Sequence, residues 1–91
     1  MMIDRGALAA LEFPCVFPLK AIGRDMDDFE TFVTAVVRRH LSAAAEMKVT
    51  SRPSRGGKYL AVTVTFMAQS WRQLDALYLE LSQSERVLMT L

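Results

Sequence analysis

The amino-acid sequence predicts a single α+β domain, in which a four-stranded sheet packs against two helices. Three observations predict this class: a ten-residue stretch that alternates in side-chain character, two stretches with apolar residues at helical spacing, and a glycine-containing turn between two extended runs. A chain of 91 residues has room for one hydrophobic core only.

The most regular alternation runs from Tyr59 to Ala68. Leu60 and every second residue after it are apolar as far as Phe66, while Thr63 and Thr65 point to the other side. A period of two with many β-branched residues is typical of a strand that is covered on one face. This stretch is therefore the predicted central strand.

The first strand is predicted from Val16 to Ile22, where the alternation is similar. Pro18 lacks a backbone donor, which favours a position where its amide points off an edge. Gly23 is expected to end this strand because glycine interrupts strand patterns.

The first helix is predicted from an apolar stripe at three- and four-residue spacing, formed by Phe29, Val33, Val36, Val37 and His40. Asp25, Asp27 and Asp28 stand at its start, where carboxylates favour the helix dipole and can cap free amides. Residues 41–46 form an alanine-rich connector or, alternatively, continue the helix through residues 43–45.

Residues 47–52 alternate with lower hydrophobicity, as suits an edge strand. The turn at residues 53–58 contains Gly56 and Gly57, which permit the positive φ angles of a hairpin, so this strand should pair antiparallel with the central one. Ser70 and Gln73 form a capping box that opens the second helix.

The last strand is predicted at residues 87–91, and Met89 is expected in the core. The element order is then β-α-β-β-α-β, the split βαβ or ferredoxin-like sandwich. Right-handed crossovers give the strand order 4-1-3-2 with both helices on one face. Residues 13–91 form the predicted domain, and residues 1–12 a loosely attached arm.

Charge and cysteine content limit the function classes. A net charge of +1 gives no bulk attraction to nucleic acid or to a membrane, so nucleic-acid binding is disfavoured and no membrane association is expected. A single cysteine, Cys15, excludes an intrachain disulfide and favours the cytoplasm.

The residues that could carry catalysis are sparse. Cys15 and His40 are far apart in sequence, and a metal site or an activated nucleophile needs several converging groups. The acidic residues near Asp28 already suit a helix start, and they disfavour an anion there. We therefore expect no catalytic residues, no metal and no cofactor.

The sheet face away from the helices is the first candidate interaction surface. Its predicted members are small or apolar and carry almost no charge: Ile22, Ala61, Thr63, Thr65 and Leu88. Interface cores are depleted of charge in the same way. We expect a second copy of the chain or another protein to cover this face.

The hairpin is the second candidate surface. Arg52, Arg55 and Lys58 gather there and could contact phosphates, which leaves RNA binding as an alternative function. Domains of this topology that bind RNA stack bases on exposed aromatic residues of the central strands. Tyr59 is the one aromatic residue expected on the open sheet face, which makes a poor stacking platform.

Several short motifs resemble the small bacterial YbeD-like family of unknown function. They are residues 53–59, 77–81 and 87–91, together with Phe13-Pro14 and the spacing of Phe17, Lys20 and Gly23. The resemblance covers residues 13–91. It implies a ferredoxin-like fold similar to that of ACT regulatory domains, which bind amino-acid effectors or pair with a partner.

In ACT domains the loop after the first strand lines the effector site. The resemblance thus implies a candidate effector loop at Gly23, Arg24 and Asp25. The family's association with lipoate-attachment genes further implies a regulatory link to lipoate metabolism. The acidic turn after Gly23 departs from a site that would bind an amino-acid carboxylate.

The sequence therefore predicts a non-enzymatic, cytoplasmic binding module with a regulatory role. A protein partner or a homo-oligomer is expected, and a small effector is a further candidate. RNA contact through the basic hairpin and an unrecognised enzymatic activity are the alternatives.

Overall fold

The computed structural model describes residues 11–26 and 28–91. Six elements follow one another in the predicted order, and their bounds are as follows: β1 (Cys15–Arg24), α1 (Phe29–Arg39), β2 (Met47–Pro53), β3 (Tyr59–Ala68), α2 (Trp71–Ser82) and β4 (Val87–Thr90).

The four strands form one antiparallel sheet in the order β2-β3-β1-β4. β1 and β3 pair along their whole length, from Cys15 opposite Ala68 to Arg24 opposite Tyr59. This is the predicted order 4-1-3-2 read in reverse, so the ferredoxin-like fold is confirmed.

The core fills the space between the sheet and the two helices. It takes every second residue of the central strands and the apolar stripes of both helices, including the following side chains, which are almost fully buried: Leu19, Phe29, Val33, Val36, Val37, Val62, Val64, Leu74, Leu77 and Leu81. The helical and β periodicities of the sequence thus point to the same interior.

Gly23 lies inside β1, opposite Leu60, so the predicted end of the strand at this residue is wrong. A Cβ atom at position 23 would meet the carbonyl oxygen of Arg86 and would lie 2.5 Å from the Phe29 ring. Glycine is required here because α1 and the start of β4 approach the strand too closely for any side chain.

The predicted core position of Met89 is also wrong. Met89 pairs with Ile22 on the side away from the helices and is 49% exposed. The pairing shifts between Ile22 and Gly23, so that Leu88 and Met89 stand against Ile22 while Val87 packs on the core. Such a bulge adds one residue and reverses the alternation beyond it.

α1 ends at Arg39, and the alternative that it continues through residues 43–45 is wrong. The Arg38 guanidinium donates hydrogen bonds to the carbonyl oxygens of Ser42 and of Ala45, the latter at 2.8 Å. A cation in the last helical turn thus holds the connector in a turn that leads to β2.

The start of α1 differs from the predicted capping. Asp28 occupies the N-cap position, but its side chain caps no amide; instead its carboxylate accepts hydrogen bonds from Arg86 at 2.6 and 3.2 Å. Asp27 lies outside the described residues. The carboxylate at this helix start therefore joins α1 to the segment before β4.

The start of α2 is confirmed. The Ser70 hydroxyl accepts a hydrogen bond from the Gln73 amide at 3.1 Å, and the Gln73 side-chain oxygen accepts one from the Gln69 amide at 2.8 Å. The Gln73 side chain also donates to the carbonyl oxygen of His40, at 3.0 Å. The capping residues of α2 therefore also hold the end of α1.

The chain before β1 packs on the second helix. Leu11 and Phe13 contact the core, and the Phe13 ring lies 5.4 Å from the Trp71 ring in an edge-on arrangement. Residues 1–10 of the predicted arm lie outside the described residues. Within the described part of the chain, both helices are too short to cross a membrane.

Candidate binding face

The sheet surface turned away from the helices is called the open face here. Pairing across the strands places these residues on it: Val16, Pro18, Lys20, Ile22 and Arg24 of β1; Lys48, Thr50 and Arg52 of β2; Tyr59, Ala61, Thr63, Thr65 and Met67 of β3; and Met89 of β4. Paired residues of neighbouring strands point to the same side, which defines the set.

The structure brings four of the predicted face residues together. Ile22 stands opposite Ala61, while Thr63 and Thr65 follow along β3 on the same side. Leu88 lies at the bulge of β4, is 54% exposed, and lines a small concavity of about 180 Å³ with Arg24.

The open face is cationic, so the expected lack of charge is wrong for the face as a whole. Lys20, Arg24, Lys48 and Arg52 lie on it, and none of the open-face positions, all of which the structure describes, holds an Asp or Glu. The predicted face residues come from β1, β3 and β4, whereas Lys48 and Arg52 belong to β2. The predicted antiparallel pairing of β2 with β3 would have indicated this, because Lys48 and Arg52 lie opposite Thr65 and Ala61.

Within residues 11–26 and 28–91, no carboxylate lies within 4.0 Å of any of these four cations. Among the described residues, these four charges therefore have no ion-pair partner. Several cations on one surface make its local electrostatic potential more positive.

Exposed apolar side chains surround the cations. Val16 pairs with Met67 at one end of the face, and these residues are 65% and 46% exposed. Met89 stands at the β4 side, where Leu91 also exchanges backbone hydrogen bonds with Lys20. Contiguous exposed apolar patches with polar residues at their rim are a feature of interaction surfaces.

The predicted basic hairpin is divided between two surfaces. Arg52 belongs to β2 and the open face, whereas Arg55 and Lys58 are exposed in the turn itself. Gly56 and Gly57 adopt φ angles of 87° and 76°, as the turn requires.

The predicted effector loop is partly enclosed. Gly23 is covered by the Phe29 ring and by the backbone at Arg86, so a ligand has no access to it. Arg24 is exposed on the open face, and the Asp25 amide donates a hydrogen bond to the Lys58 carbonyl oxygen at 2.9 Å. This bond ties the loop after β1 to the hairpin.

Two groups of ion pairs join parts of the fold on the helical side of the sheet. Glu80 on α2 accepts hydrogen bonds from Arg39 and, at 2.8 Å, from the His40 ring. The hydrogen bond from Arg39, followed by that from His40, lowers the pKa of the Glu80 carboxyl. The hydrogen bond from Arg86 likewise lowers the pKa of Asp28.

The two residues considered for catalysis occupy separate elements. Cys15 is half-buried at the start of β1, and His40 follows α1 with its ring on Glu80. In the described part of the chain, no three His, Cys, Asp or Glu residues come together in a way that could hold a metal ion.

Comparison with known families agrees with the motifs in the sequence. The model of a protein family of unknown function, DUF493, matches residues 9–91. The chain belongs to the DUF493 family. The predicted resemblance to the small YbeD-like proteins of unknown function is thereby confirmed.

Relatives of this DUF493 chain have a similar length. A UPF0250 protein of Chromobacterium violaceum is 49% identical over 80 residues, which cover 88% of this chain and 90% of the relative. A UPF0250 protein of Neisseria gonorrhoeae is 35% identical over 91 residues and is covered completely, as is this chain.

A solved structure shares the fold of this DUF493 chain. The solution structure of protein HP0495 from H. pylori superposes with a TM-score of 0.72 and 16% sequence identity, over 90% of this chain and 86% of that one. The match supports the arrangement of sheet and helices.

Proposed function

We propose that this protein is a non-catalytic binding module whose open face docks an acidic surface of another protein. The observation that carries the proposal is a set of four cations that contact no carboxylate of the described residues and lie among exposed apolar side chains: Lys20, Arg24, Lys48 and Arg52. Complementary charge would steer the partner to the face, and the apolar side chains would supply contact area.

The placement of the charges favours binding over a structural role. Arg39 and Arg86 in the helical layer each contact a carboxylate of another element, and these contacts join parts of the fold. The cations of the open face make no such contact among the described residues, so no ion pair there joins two elements. Carboxylates on an acidic partner would form ion pairs with these cations.

A protein is favoured over RNA by the chemistry of the surface. Tyr59 is the one aromatic residue of the open face and lies at its hairpin end, whereas the middle of the face presents Thr63 and Ala61. Single-stranded RNA is read by stacking bases on aromatic residues at that position. Val16, Met67 and other aliphatic side chains suit a protein surface instead.

The partner is a different protein rather than a second copy bound through the same face. In a two-fold dimer each open face would meet its own image, so that four cations of one copy would face four of the other. Like charges placed opposite one another oppose association. An acidic surface on another protein removes this repulsion.

Regulation in the cytoplasm is the biological role we propose for this docking. As a non-catalytic module, the domain would act by changing the activity or the stability of the protein that it binds. The link to lipoate metabolism implied by the family resemblance and the effector loop at Arg24 and Asp25 belong to the same proposal. Effector binding would shift the backbone amide resonances of residues 23–26 during titration with amino acids and lipoate.

Site-specific crosslinking in cells tests the docking surface. A photo-crosslinking amino acid replaces Thr63 at the centre of the open face and, as a matched control, Ala76, which is exposed on α2. We expect a discrete protein adduct from position 63 and none from position 76. The crosslinked protein is then identified, purified and titrated against the full chain by calorimetry.

Charge variants complete the test with the purified partner. Arg52→Glu on the open face should weaken binding by about tenfold or more, whereas Arg72→Glu, an equal change of charge on α2, should stay within about twofold. Equal effects of the two variants would refute docking through this face. An adduct at position 63 that ribonuclease removes would instead establish the RNA alternative.

A further inference from the structure

The centre of the open face contains a shallow concavity of about 330 Å³. It is lined by Lys20, Thr50, Ser51, Arg52, Ala61 and Thr63, which come from three neighbouring strands. The small side chain of Ala61 leaves space between longer neighbours. This concavity is called the cationic cup.

Strand pairing fixes the layout of the cationic cup. Thr50, Thr63 and Lys20 form one row across β2, β3 and β1. Arg52 and Ala61 begin the next row on the same side. Lys20 and Arg52 therefore stand diagonally on either side of Ala61.

The distance between the two cations suits a single bound group. They are separated by two interstrand spacings of about 4.8 Å and by one two-residue step of about 7 Å along the strands, which gives about 12 Å between their Cα atoms. Long flexible side chains on both sides can bring an ammonium and a guanidinium together above Ala61. The hydroxyl groups of Thr50 and Thr63 lie on the same side.

The chemistry of the cup selects an anion with several oxygen atoms. Lys and Arg are donors only, and the threonine hydroxyls can add further hydrogen bonds. Arginine binds carboxylates and phosphates through two parallel hydrogen bonds, and charge-assisted bonds of this kind are the strong ones. A cation would be repelled from the same position.

We propose that the cationic cup is an oxyanion subsite at which Lys20 and Arg52 hold one carboxylate or phosphate group. The inference rests on the proposed function, since the expected occupant is an Asp or Glu side chain of the docked protein. A free phosphate compound offers the same chemistry, so the experiment includes both sources.

Side-chain NMR spectroscopy of the full chain tests the subsite directly. The probes are a blocked triglutamate peptide and inorganic phosphate, each titrated to tens of millimolar at low ionic strength. The Arg52 side-chain N–H and the Lys20 side-chain resonances should shift and saturate together with the peptide. The corresponding resonances of Arg55 and Lys58 in the turn should move little.

Matched charge removal separates a defined subsite from general attraction. The double variant Lys20→Gln/Arg52→Gln removes two charges from the cup, and Arg55→Gln/Lys58→Gln removes two from the turn. The cup variant should bind triglutamate about tenfold more weakly, and the turn variant within about twofold of wild type. Equal weakening in both variants would overturn the subsite.

The two sources of the anion give different results. Saturable binding of triglutamate assigns the cup to a partner carboxylate, while saturation by phosphate alone keeps the oxyanion subsite and assigns it to a small phosphate compound. If neither probe moves Lys20 and Arg52, the cup is not a subsite. A protein adduct at position 63 together with that result would leave the docking surface standing and overturn the subsite alone.

Discussion

Ion pairs join elements on the helical side of the sheet, whereas the open face has none among the described residues. In the helical layer Arg39 meets Glu80 and Arg86 meets Asp28, so each of these cations joins two elements of the fold. On the open face Lys20 and Arg52 have no carboxylate in contact among the described residues. The net charge of +1 does not reveal this difference, because it depends on where the charges lie and not on their sum.

The two faces of the sheet also differ in packing. Val62 and Val64 of β3 are completely buried under the helices, while their neighbours Thr63 and Thr65 are half-buried on the open face. Substitutions in the core between the sheet and the helices should therefore lower the free energy of unfolding, whereas changes on the open face should leave the fold intact.

Gly23→Ala should have the largest effect, with a loss of about 3 kcal/mol in the free energy of unfolding. The added methyl group would collide with the Phe29 ring and the Arg86 carbonyl oxygen, so α1 or β4 must move. Gly57→Ala is the matched control. Its site is open but has a φ of 76°, so we expect about 1 kcal/mol.

Urea denaturation followed by circular dichroism measures both glycine variants. A Gly23→Ala loss no larger than that of Gly57→Ala would show that the contact between β1 and α1 adapts easily. The core around Gly23 would then rearrange at little cost in the free energy of unfolding.

Val64→Thr should lower the free energy of unfolding by about 2 kcal/mol, because it places a hydroxyl among buried apolar side chains. The reverse change at the next residue, Thr63→Val, should stay within about 0.5 kcal/mol, because this side chain lies on the open face. Urea unfolding of the two near-isosteric variants gives the values. Similar losses for both would contradict the assignment of the faces.

Tyr78→Phe should cost about 1 kcal/mol near neutral pH, because the phenol donates a hydrogen bond to the Leu91 carbonyl oxygen at 2.9 Å. Burial raises the pKa of Tyr78 from 10.0 to about 12. The folded protein therefore favours the neutral phenol, and this stabilisation is complete below pH 10 and is lost as the pH rises through about 12.

Thermal unfolding between neutral pH and pH 12 checks this linkage. The stability difference between wild type and Tyr78→Phe should shrink as the pH rises through that interval. A difference that stays constant above pH 10 would mean that the Tyr78 phenol ionises as easily in the folded protein as in the unfolded chain.

Glu80→Gln should have a small effect, about 0.5 kcal/mol, because the carboxylate that pairs with Arg39 and His40 is partly accessible to solvent, which weakens ion pairs. The hydrogen bond from Arg39 lowers the pKa of Glu80 below 4.5, so the pair stabilises the fold above that pH and the contribution is lost as the pH falls further. Chemical unfolding at pH 7 and at acid pH measures it.

Arg52→Gln on the open face provides the control for the charge comparison. Its stability should match that of wild type within about 0.3 kcal/mol at both pH values, because no carboxylate of the described chain contacts Arg52. A loss as large as that of Glu80→Gln would show that the open-face cations also stabilise the fold.

Local sequence patterns predict the six elements and their order. The alternation from Tyr59 to Ala68, the helical spacing of Phe29 and Val33, and the cap at Ser70 are local patterns. Local patterns follow from backbone geometry and from the burial of one face, so they need no knowledge of distant contacts. The strand order then followed from the handedness of the crossovers.

Contacts between distant elements set the positions of several side chains. The bulge opposite Ile22 moved Met89 out of the core, and the pairing of β2 with β3 brought Arg52 onto the face with Lys20. The Asp28 carboxylate contacts Arg86, which is distant in sequence, instead of capping a helix amide. These outcomes depend on register and on contacts between elements, where a shift of one residue moves a side chain to the opposite face.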